Sequence, residues 1–249
     1  FPVKDGARLA NYTLLKFVKK CFTQMDVFVF NENINEELDH IKYKKEFDAD
    51  NVYFSVRPML GTQVSKMFFF LKQFLINPEI PLTTSYFTGS KLNDLIKQNK
   101  YDYIVFDGLH PFVSFNAQQN IKIIYRAHNV EQDLWEMAKH QTSNVFLKKI
   151  YSWQGKLMAK LENKLINCAN SIWSISIEDK NRFMQINNSA NVCLVPVTLN
   201  FKKRDIKNIP GKINLVFIGK LDWAPNKDGL TWFLNEVWPK IDCDKFSLN

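Results

Sequence analysis

The chain has 249 residues, of which 46% are hydrophobic and 14% aromatic, and its formal net charge is +8. This hydrophobic content is enough for a sizeable core and excludes an intrinsically disordered protein. The positive charge favours anionic ligands such as phosphates, nucleotide diphosphates, acidic lipid headgroups or nucleic acid, and by itself it does not choose among them.

Segments with helical and strand-like patterns alternate along the chain. Apolar residues at helical spacing predict a first helix over residues 7–22. Short runs of β-branched and aromatic residues predict strands at residues 25–30, 51–56, 101–108, 121–127, 171–176 and 191–197. Charged segments with apolar faces predict further helices at residues 32–46, 61–77, 90–98, 130–139, 143–168 and 178–184. Because parallel strands need a crossover long enough for a helix, we expect an α/β fold with a doubly wound parallel sheet.

A polar and basic stretch containing Pro and Gly interrupts this alternation at residues 198–212, and its composition is typical of a linker. A strand pattern then starts afresh at residues 213–220, and an amphipathic helix follows at residues 228–238. We therefore expect one α/β domain over residues 1–197, a linker over 198–212, and the truncated start of a second α/β domain over 213–249. The opening on Phe1-Pro2 and the strand-like last residues also indicate a fragment of a longer protein.

The cysteines lie far apart and form no Cys-x-x-Cys pair; they are Cys21, Cys168, Cys193 and Cys243. This spacing argues against a zinc cluster and against a disulfide-stapled secreted domain. No apolar run approaches the roughly 20 residues of a membrane-spanning helix, and the first residues do not have a signal-peptide pattern. We therefore expect reduced cysteines in a cytoplasmic protein.

Polar residues follow the predicted strands, where an open α/β sheet binds its ligands. The candidates for substrate binding are Gly6, Arg8, Asp107, Asn129, Glu131, Lys220 and Lys227, and the candidate catalytic residue is His128. Gly6 at a helix start can bring backbone N–H groups close to an anionic ligand. His128 offers a donor and an acceptor near neutral pH, which suits a sugar hydroxyl.

Structural interpretations remain open for the same residues. Gly6 and Asp107 could form turns, and His128 could be a hydrogen-bonded histidine between a strand and a helix. Asn129 could cap the next helix, while Ser176 and Asp179 resemble a helix cap more than a chemical site.

Three segments together resemble the family 4 glycosyltransferases of the GT-B fold. They are HNVE at residues 128–131 followed by Trp135, KLENKLINCANSIWSISIEDKNRF at residues 160–183, and FIGKLDWAPNKDGLTWFLNEVWPKI at residues 217–241. The resemblance implies two Rossmann-like domains facing one another across a cleft. It covers nearly the whole chain, which would hold the N-terminal acceptor-side domain, the linker, and the opening strand and helix of the C-terminal donor-side domain.

The resemblance also implies roles for individual residues. The family's glycine-bearing loop near the donor diphosphate corresponds to residues 5–8, with one glycine here where many members have two. The histidine near the transferred sugar corresponds to His128. The basic residues that meet the diphosphate correspond to Lys220, which replaces the usual Arg, and Lys227. The acidic E-x7-E motif should lie beyond Asn249, so we expect the fragment to be inactive alone.

The implied reaction moves a sugar from a nucleotide-diphosphate donor to a hydroxyl of a glycan or lipid-linked acceptor. It proceeds with retention of anomeric configuration and usually without a metal, so we expect no metal and no cofactor. Lysines and helix N-termini would offset the charge of the departing diphosphate. A non-catalytic sugar-binding or membrane-associated scaffold of the same fold is the alternative.

Two other classes of protein fit less well. A nicotinamide dehydrogenase should carry a G-x-G-x-x-G motif, which this sequence does not contain. The lysines are scattered and form no familiar nucleic-acid recognition module, so we expect no nucleic-acid partner.

Residues 64–77, VSKMFFFLKQFLIN, combine aromatic residues with two lysines, as an interfacial helix would. This pattern is consistent with peripheral contact of the protein with the inner face of a membrane. A core helix with a snorkelling lysine is the alternative that the pattern favours.

Overall fold

A computed structural model describes residues 6–31, 36–58, 60–89, 91–116, 120–197, 213–221, 224–241 and 245–248, without the side chains of residues 6–10, 36–39, 224–225 and 248. The chain divides into two compact units, Phe1–Leu199 and Asn200–Asn249. All strand pairs among the described residues are parallel. The expected α/β class with parallel sheets is therefore confirmed.

The first unit alternates strands and helices in chain order. Its strands are β1 (Asp26–Asn31), β2 (Asn51–Val56), β3 (Tyr103–Asp107), β4 (Lys122–Ala127), β5 (Ser171–Ser174) and β6 (Val192–Leu194). Its helices are α1 (Gly6–Cys21), α2 (Glu36–Phe47), α3 (Gln63–Ile76), α4 (Leu92–Gln98), α5 (Glu131–Gln141), α6 (Val145–Cys168) and α7 (Ile177–Ile186). Short 3-10 helices occupy Leu82–Phe87 and His110–Ser114.

The strands of the first unit form two sheets within the described residues. β1 pairs with β2, and β3, β4, β5 and β6 form a four-stranded sheet in chain order. Because the order follows the chain, this four-stranded sheet has no internal reversal of the kind that a doubly wound sheet uses for its ligand crevice. In the register of β3 and β4, Asp107 lies opposite Arg126.

The four-stranded sheet is built around β4, whose last five residues are all buried. Such a continuous buried run is typical of a parallel strand covered on both faces. Tyr125 is fully buried, and its ring meets Phe183 of α7 edge-on at 5.9 Å between centroids. Helix α6 contributes Met158 and Leu165, which lie seven residues apart on one face and are fully buried. This core fixes the strand ends on which the candidate site depends.

A second core lies between the β1–β2 pair and helices α1 and α2. Its buried side chains include Leu14, Val18, Tyr43, Phe47 and Val52. Leu14 and Val18 are four residues apart, so they share one face of α1. Helix α1 is thereby attached to the first sheet by its apolar face.

The second unit contains β7 (Ile213–Leu215) paired with β8 (Phe246–Leu248), and helix α8 (Ala224–Trp232). A π-helical turn at Phe233–Val237 and a 3-10 turn at Trp238–Lys240 follow α8. The predicted strand over 213–220 is shorter than expected, and the predicted helix begins four residues earlier than residue 228. The predicted linker at 198–212 lies outside the described residues. In the described part of the chain, no helix has both the length and the apolar character needed to cross a membrane.

Candidate functional site

The candidate site lies at the carboxyl ends of β3 and β4. Asp107 is the last residue of β3, Arg126 is its register partner near the end of β4, and His128 follows β4 directly. Side chains two positions apart on an extended chain point to the same side, so Arg126 and His128 both face Asp107. Neighbouring parallel strands thus bring an acid and two bases together at the sheet edge where α/β proteins bind ligands.

The three side chains share one carboxylate oxygen. His128 Nε2 lies 2.7 Å from Asp107 Oδ1, and Arg126 donates to the same oxygen at 2.6 Å. The guanidinium of Arg126 also donates to Asn11 Oδ1 of α1 at 3.0 Å. Arg126 is only 2% exposed, so its charge is satisfied by these internal partners. We call Asn11, Asp107, Arg126 and His128 the Asp107 cluster.

The protonation states follow from these contacts. Burial alone would raise the pKa of Asp107, but the hydrogen bonds and charges of His128 and Arg126 outweigh it and hold that pKa below its ordinary value. The carboxylate is therefore ionised at neutral pH and can only accept, so His128 Nε2 carries the hydrogen that it shares with Asp107. In the neutral ring this leaves Nδ1 as an acceptor. The His128 side chain is 24% exposed, which keeps the ring open to a ligand.

Gly108 makes the turn that follows Asp107. Its φ of 91° lies in the left-handed region that favours glycine, and its N–H donates to the carbonyl of Arg126 at 2.9 Å. Asp107 was interpreted either as a turn residue or as a substrate-binding residue. In the structure Gly108 adopts the turn conformation, and the Asp107 side chain makes the ionic contacts.

Glu162 of α6 fixes the segment that follows His128. It is fully buried, and its carboxylate accepts from the backbone N–H groups of Glu131 at 2.9 Å and Gln132 at 3.0 Å. The Gln132 amide and the Tyr125 hydroxyl also donate to it, at 3.2 and 3.3 Å. A carboxylate in this position satisfies free N–H groups at the start of α5 and complements the positive end of its dipole. The contacts of Glu162 with the start of α5 therefore attach the turn that carries His128 to α6.

The interpretation of Asn129 as the cap of α5 is wrong. The N-cap residue is Val130, which makes no side-chain cap bond, and Asn129 is exposed. Glu162 caps the helix instead, from a distant part of the sequence. The cap interpretation of Ser176 is confirmed, since its Oγ accepts from the N–H of Asp179 at 3.0 Å at the start of α7.

A second titratable pair lies beside the cluster. Burial, and then the charge of Glu162, raise the pKa of Glu131 to about 7, although His128 acts in the opposite direction. Burial also raises the pKa of Glu162, against the hydrogen bonds that it accepts. Glu131 therefore changes charge close to neutral pH within the electrostatic reach of His128.

Comparison with known proteins finds a partial relative. The chain is 27% identical over 251 residues to an "Uncharacterized 44.6 kDa protein in cps region" of Klebsiella pneumoniae. The aligned part covers 97% of this chain and 58% of that protein, so the chain spans little more than half of its relative. No family model and no solved structure matches the chain.

The predicted site residues lie in both units of the chain. Asp107 and His128 are in direct contact, and Glu131 starts the helix beside them. Gly6 is the first residue of α1, the helix that also carries Asn11, whereas the side chain of Arg8 lies outside the described residues. Lys220 and Lys227 belong to the second unit, where both are exposed; Asn226 donates to the Lys220 carbonyl at 3.2 Å.

The sequence prediction assigned no role to Arg126, Glu162 or Asn11. Two of them left a signal in the sequence. Arg126 ends the apolar run IKIIY, and a charge in a buried strand requires a partner. Glu162 lies on the apolar face of α6, four residues after Met158 and three before Leu165. No three His, Cys, Asp or Glu side chains of the described residues come together as metal ligands would.

Proposed function

We propose that this chain is the larger part of a glycosyltransferase of the GT-B fold, with an acceptor-side domain and the start of a donor-side domain. The reaction transfers a sugar from a nucleotide-diphosphate donor to a hydroxyl of a glycan or lipid-linked acceptor, with retention. The relative encoded in a cps region, that is, a capsule polysaccharide region, supports a role in glycan biosynthesis. The observation that carries the proposal is the contact between His128 and Asp107 at the strand ends.

The proposed mechanism gives each member of the Asp107 cluster one task. Asp107 accepts from His128 Nε2, which fixes the ring and leaves Nδ1 free to accept from a sugar hydroxyl. The carboxylate also stabilises positive charge that develops on the ring as the hydroxyl polarises. Arg126 keeps Asp107 ionised and in place. His128 is then the catalytic residue, whereas Asp107 and Arg126 are positioning residues.

Binding of the donor diphosphate is assigned to other groups. The N-terminus of α5 is already occupied by the Glu162 carboxylate, so it is not the diphosphate site. The start of α1 at Gly6 carries the positive end of a helix dipole, which suits a phosphate, and Arg8 follows in the same turn. Lys220 and Lys227 are proposed to offset further diphosphate charge. Asn129 is exposed next to His128 and offers its amide to sugar hydroxyls.

The test is turnover by the full-length enzyme, followed as nucleoside diphosphate released from a panel of nucleotide sugars with glycan and lipid-linked acceptors. We expect His128→Ala to lower kcat about a hundredfold or more, as loss of a positioned polar catalytic group does. The matched control is His140→Ala, because His140 lies exposed on α5, where it pairs with Glu136 one turn earlier. Equal turnover in wild type and His128→Ala rejects the proposal. If the full-length protein binds nucleotide sugars but does not turn them over, the result favours the non-catalytic scaffold.

A further inference from the structure

Helix α3 exposes an apolar stripe. None of its residues is fully buried. Val64, Phe68, Leu71 and Leu75 recur at intervals of three or four residues, so they lie along one face, and each is between 52% and 71% exposed. The prediction of a core helix for this segment is therefore wrong.

The opposite face of α3 is the one that attaches the helix to the protein. Phe69 and Phe70 contact the ring of Tyr86 at 5.1 and 5.5 Å between centroids. The helix begins with a capping box, in which Thr62 and Ser65 each bond to the backbone of the other. Helix α3 is thus anchored on its inner side while its apolar stripe faces outward.

The exposed apolar surface continues onto the start of α6. Phe74 meets Trp153 of α6 edge-on at 5.4 Å between centroids. Phe146 lies two helical turns before Trp153 on the same face of α6, and it is 71% exposed. Val145 beside it is 69% exposed. We call this surface the α3–α6 face, defined by Val64, Phe68, Leu71, Leu75, Val145 and Phe146.

The two helical segments that carry the α3–α6 face are cationic. Residues 61–77 and 144–161 together contain six lysines and no Asp or Glu. Lys72 follows Leu71 and lies one turn after Phe68, so it borders the stripe. Lys160 forms an ion pair with Glu79 at 2.9 Å, and it lies about four helical turns after Phe146. An apolar face bordered by cations is the pattern of helices that lie in the interface of an anionic bilayer.

A second copy of the chain fits this surface less well. In a symmetric dimer the same patch meets itself, so lysines would face lysines across the interface. An anionic lipid surface supplies both an apolar layer for the phenylalanine and leucine side chains and negative headgroups for the lysines. The charge complementarity therefore favours lipid as the occupant.

We propose that the α3–α6 face binds the surface of an anionic membrane. Phe68, Leu71 and Phe146 enter the boundary between headgroups and acyl chains, and Lys72 and Lys149 lie among the headgroups. This binding is separate from sugar transfer and does not depend on it. A peripheral attachment of this kind would hold the protein where lipid-linked molecules are available.

The test is co-sedimentation of the full 249-residue chain with vesicles of phosphatidylcholine alone or mixed with phosphatidylglycerol. We expect sedimentation with the mixed vesicles, less with neutral vesicles, and a decrease as salt is raised. The double variant Phe68→Ser/Leu71→Ser should lower the partition coefficient about tenfold or more, because it removes two inserted apolar side chains. Lys72→Glu/Lys149→Glu should lower binding to the mixed vesicles at least about tenfold.

The matched control is Ile41→Ser on α2, since Ile41 is 73% exposed and lies outside the α3–α6 face. It should bind vesicles like the wild type. The proposal is overturned when the chain does not sediment with the mixed vesicles, or when Phe68→Ser/Leu71→Ser binds as well as the wild type. A wild-type dimer in sedimentation equilibrium that the same double variant dissociates would also overturn it, in favour of a second copy. None of these readouts uses turnover, so they stand apart from the test of His128.

Discussion

The Asp107 cluster and the α3–α6 face both depart from the usual distribution of residues. The first buries a charged side chain, and the second exposes apolar side chains. At the ends of β3 and β4, Arg126 is 2% exposed, whereas Phe68 on α3 is 61% exposed. Proteins normally bury phenylalanine and expose arginine. The buried charge has its partners inside the protein, in Asp107 and Asn11. The side chains of the exposed apolar stripe are turned to solvent, and its proposed partner is a membrane surface.

This difference separates two kinds of site. A buried ion pair must be complete before a ligand arrives, because an uncompensated buried charge is strongly destabilising. The Asp107 cluster is therefore preorganised, and altering one member should affect the stability of the whole unit. An exposed apolar face contributes little to stability until its partner is bound, so altering it should affect binding and leave folding intact.

The largest effect is expected for Arg126→Met, which removes a buried cation but keeps much of its volume. The variant leaves Asp107 with His128 alone and leaves Asn11 without its donor, so we expect a loss of about 3 kcal/mol or more in the free energy of unfolding. Urea unfolding followed by circular dichroism measures it.

Arg182→Met is the matched comparison. Arg182 donates to both oxygens of Asp133, at 2.7 and 3.0 Å, but the two side chains are 42% and 41% exposed. Removing an exposed ion pair should change the free energy of unfolding by less than about 1 kcal/mol. Equal losses in the free energy of unfolding would show that the burial of Arg126 does not increase the contribution of its ion pair to stability.

A smaller effect, dependent on pH, is expected at Glu131. Its pKa rises from 4.5 to about 7 on folding, because burial and the charge of Glu162 disfavour ionisation. Below pH 4.5 the carboxyl is protonated in both states, and above it the unfolded chain ionises first. The wild type therefore loses stability as pH rises toward 7, by up to about 3 kcal/mol at roughly 1.4 kcal/mol per unit of pKa.

Glu131→Gln cannot ionise and should not show this part of the loss. We expect the variant to gain about 2–3 kcal/mol over the wild type when both are moved from pH 5 to pH 8. Urea unfolding at the two pH values measures the difference. Glu178→Gln is the control, since Glu178 is exposed in the first turn of α7. A constant difference between Glu131→Gln and wild type would contradict the raised pKa.

The contrast also shows which features the sequence could predict. Strand β2 has the predicted bounds, and the contact between Asp107 and His128 follows from two strands that end at one sheet edge. Local pattern was sufficient for the strand bounds, and the contact follows once β3 and β4 are known to be neighbours. The roles of Glu162 and Asn11 could not be predicted in the same way, because their partners lie 30 or more positions away in the chain. Their assignment requires knowing how α6 and α1 pack.

Other misses arose because pattern does not specify a neighbour. The apolar run after Ile213 predicts a strand to residue 220, whereas β7 ends at Leu215, which pairs with Leu248. On α3, apolar residues occur all around the helix, which is typical of a buried helix. In the structure, Phe69 and Phe70 on one side of α3 pack against Tyr86, and the sequence alone does not show which side has a partner.

The smallest effect on stability is expected for Phe68→Ser/Leu71→Ser, the double variant that should lose membrane binding. Both side chains are more than half exposed, so we expect each change to alter the free energy of unfolding by no more than about 0.5 kcal/mol. Phe112→Ala is the contrasting variant, since Phe112 is 1% exposed and contacts Phe106; it should lose about 3–5 kcal/mol. Urea unfolding without vesicles measures both. A large loss in the double variant would mean that α3 supports the fold, and a loss of vesicle binding would then report unfolding.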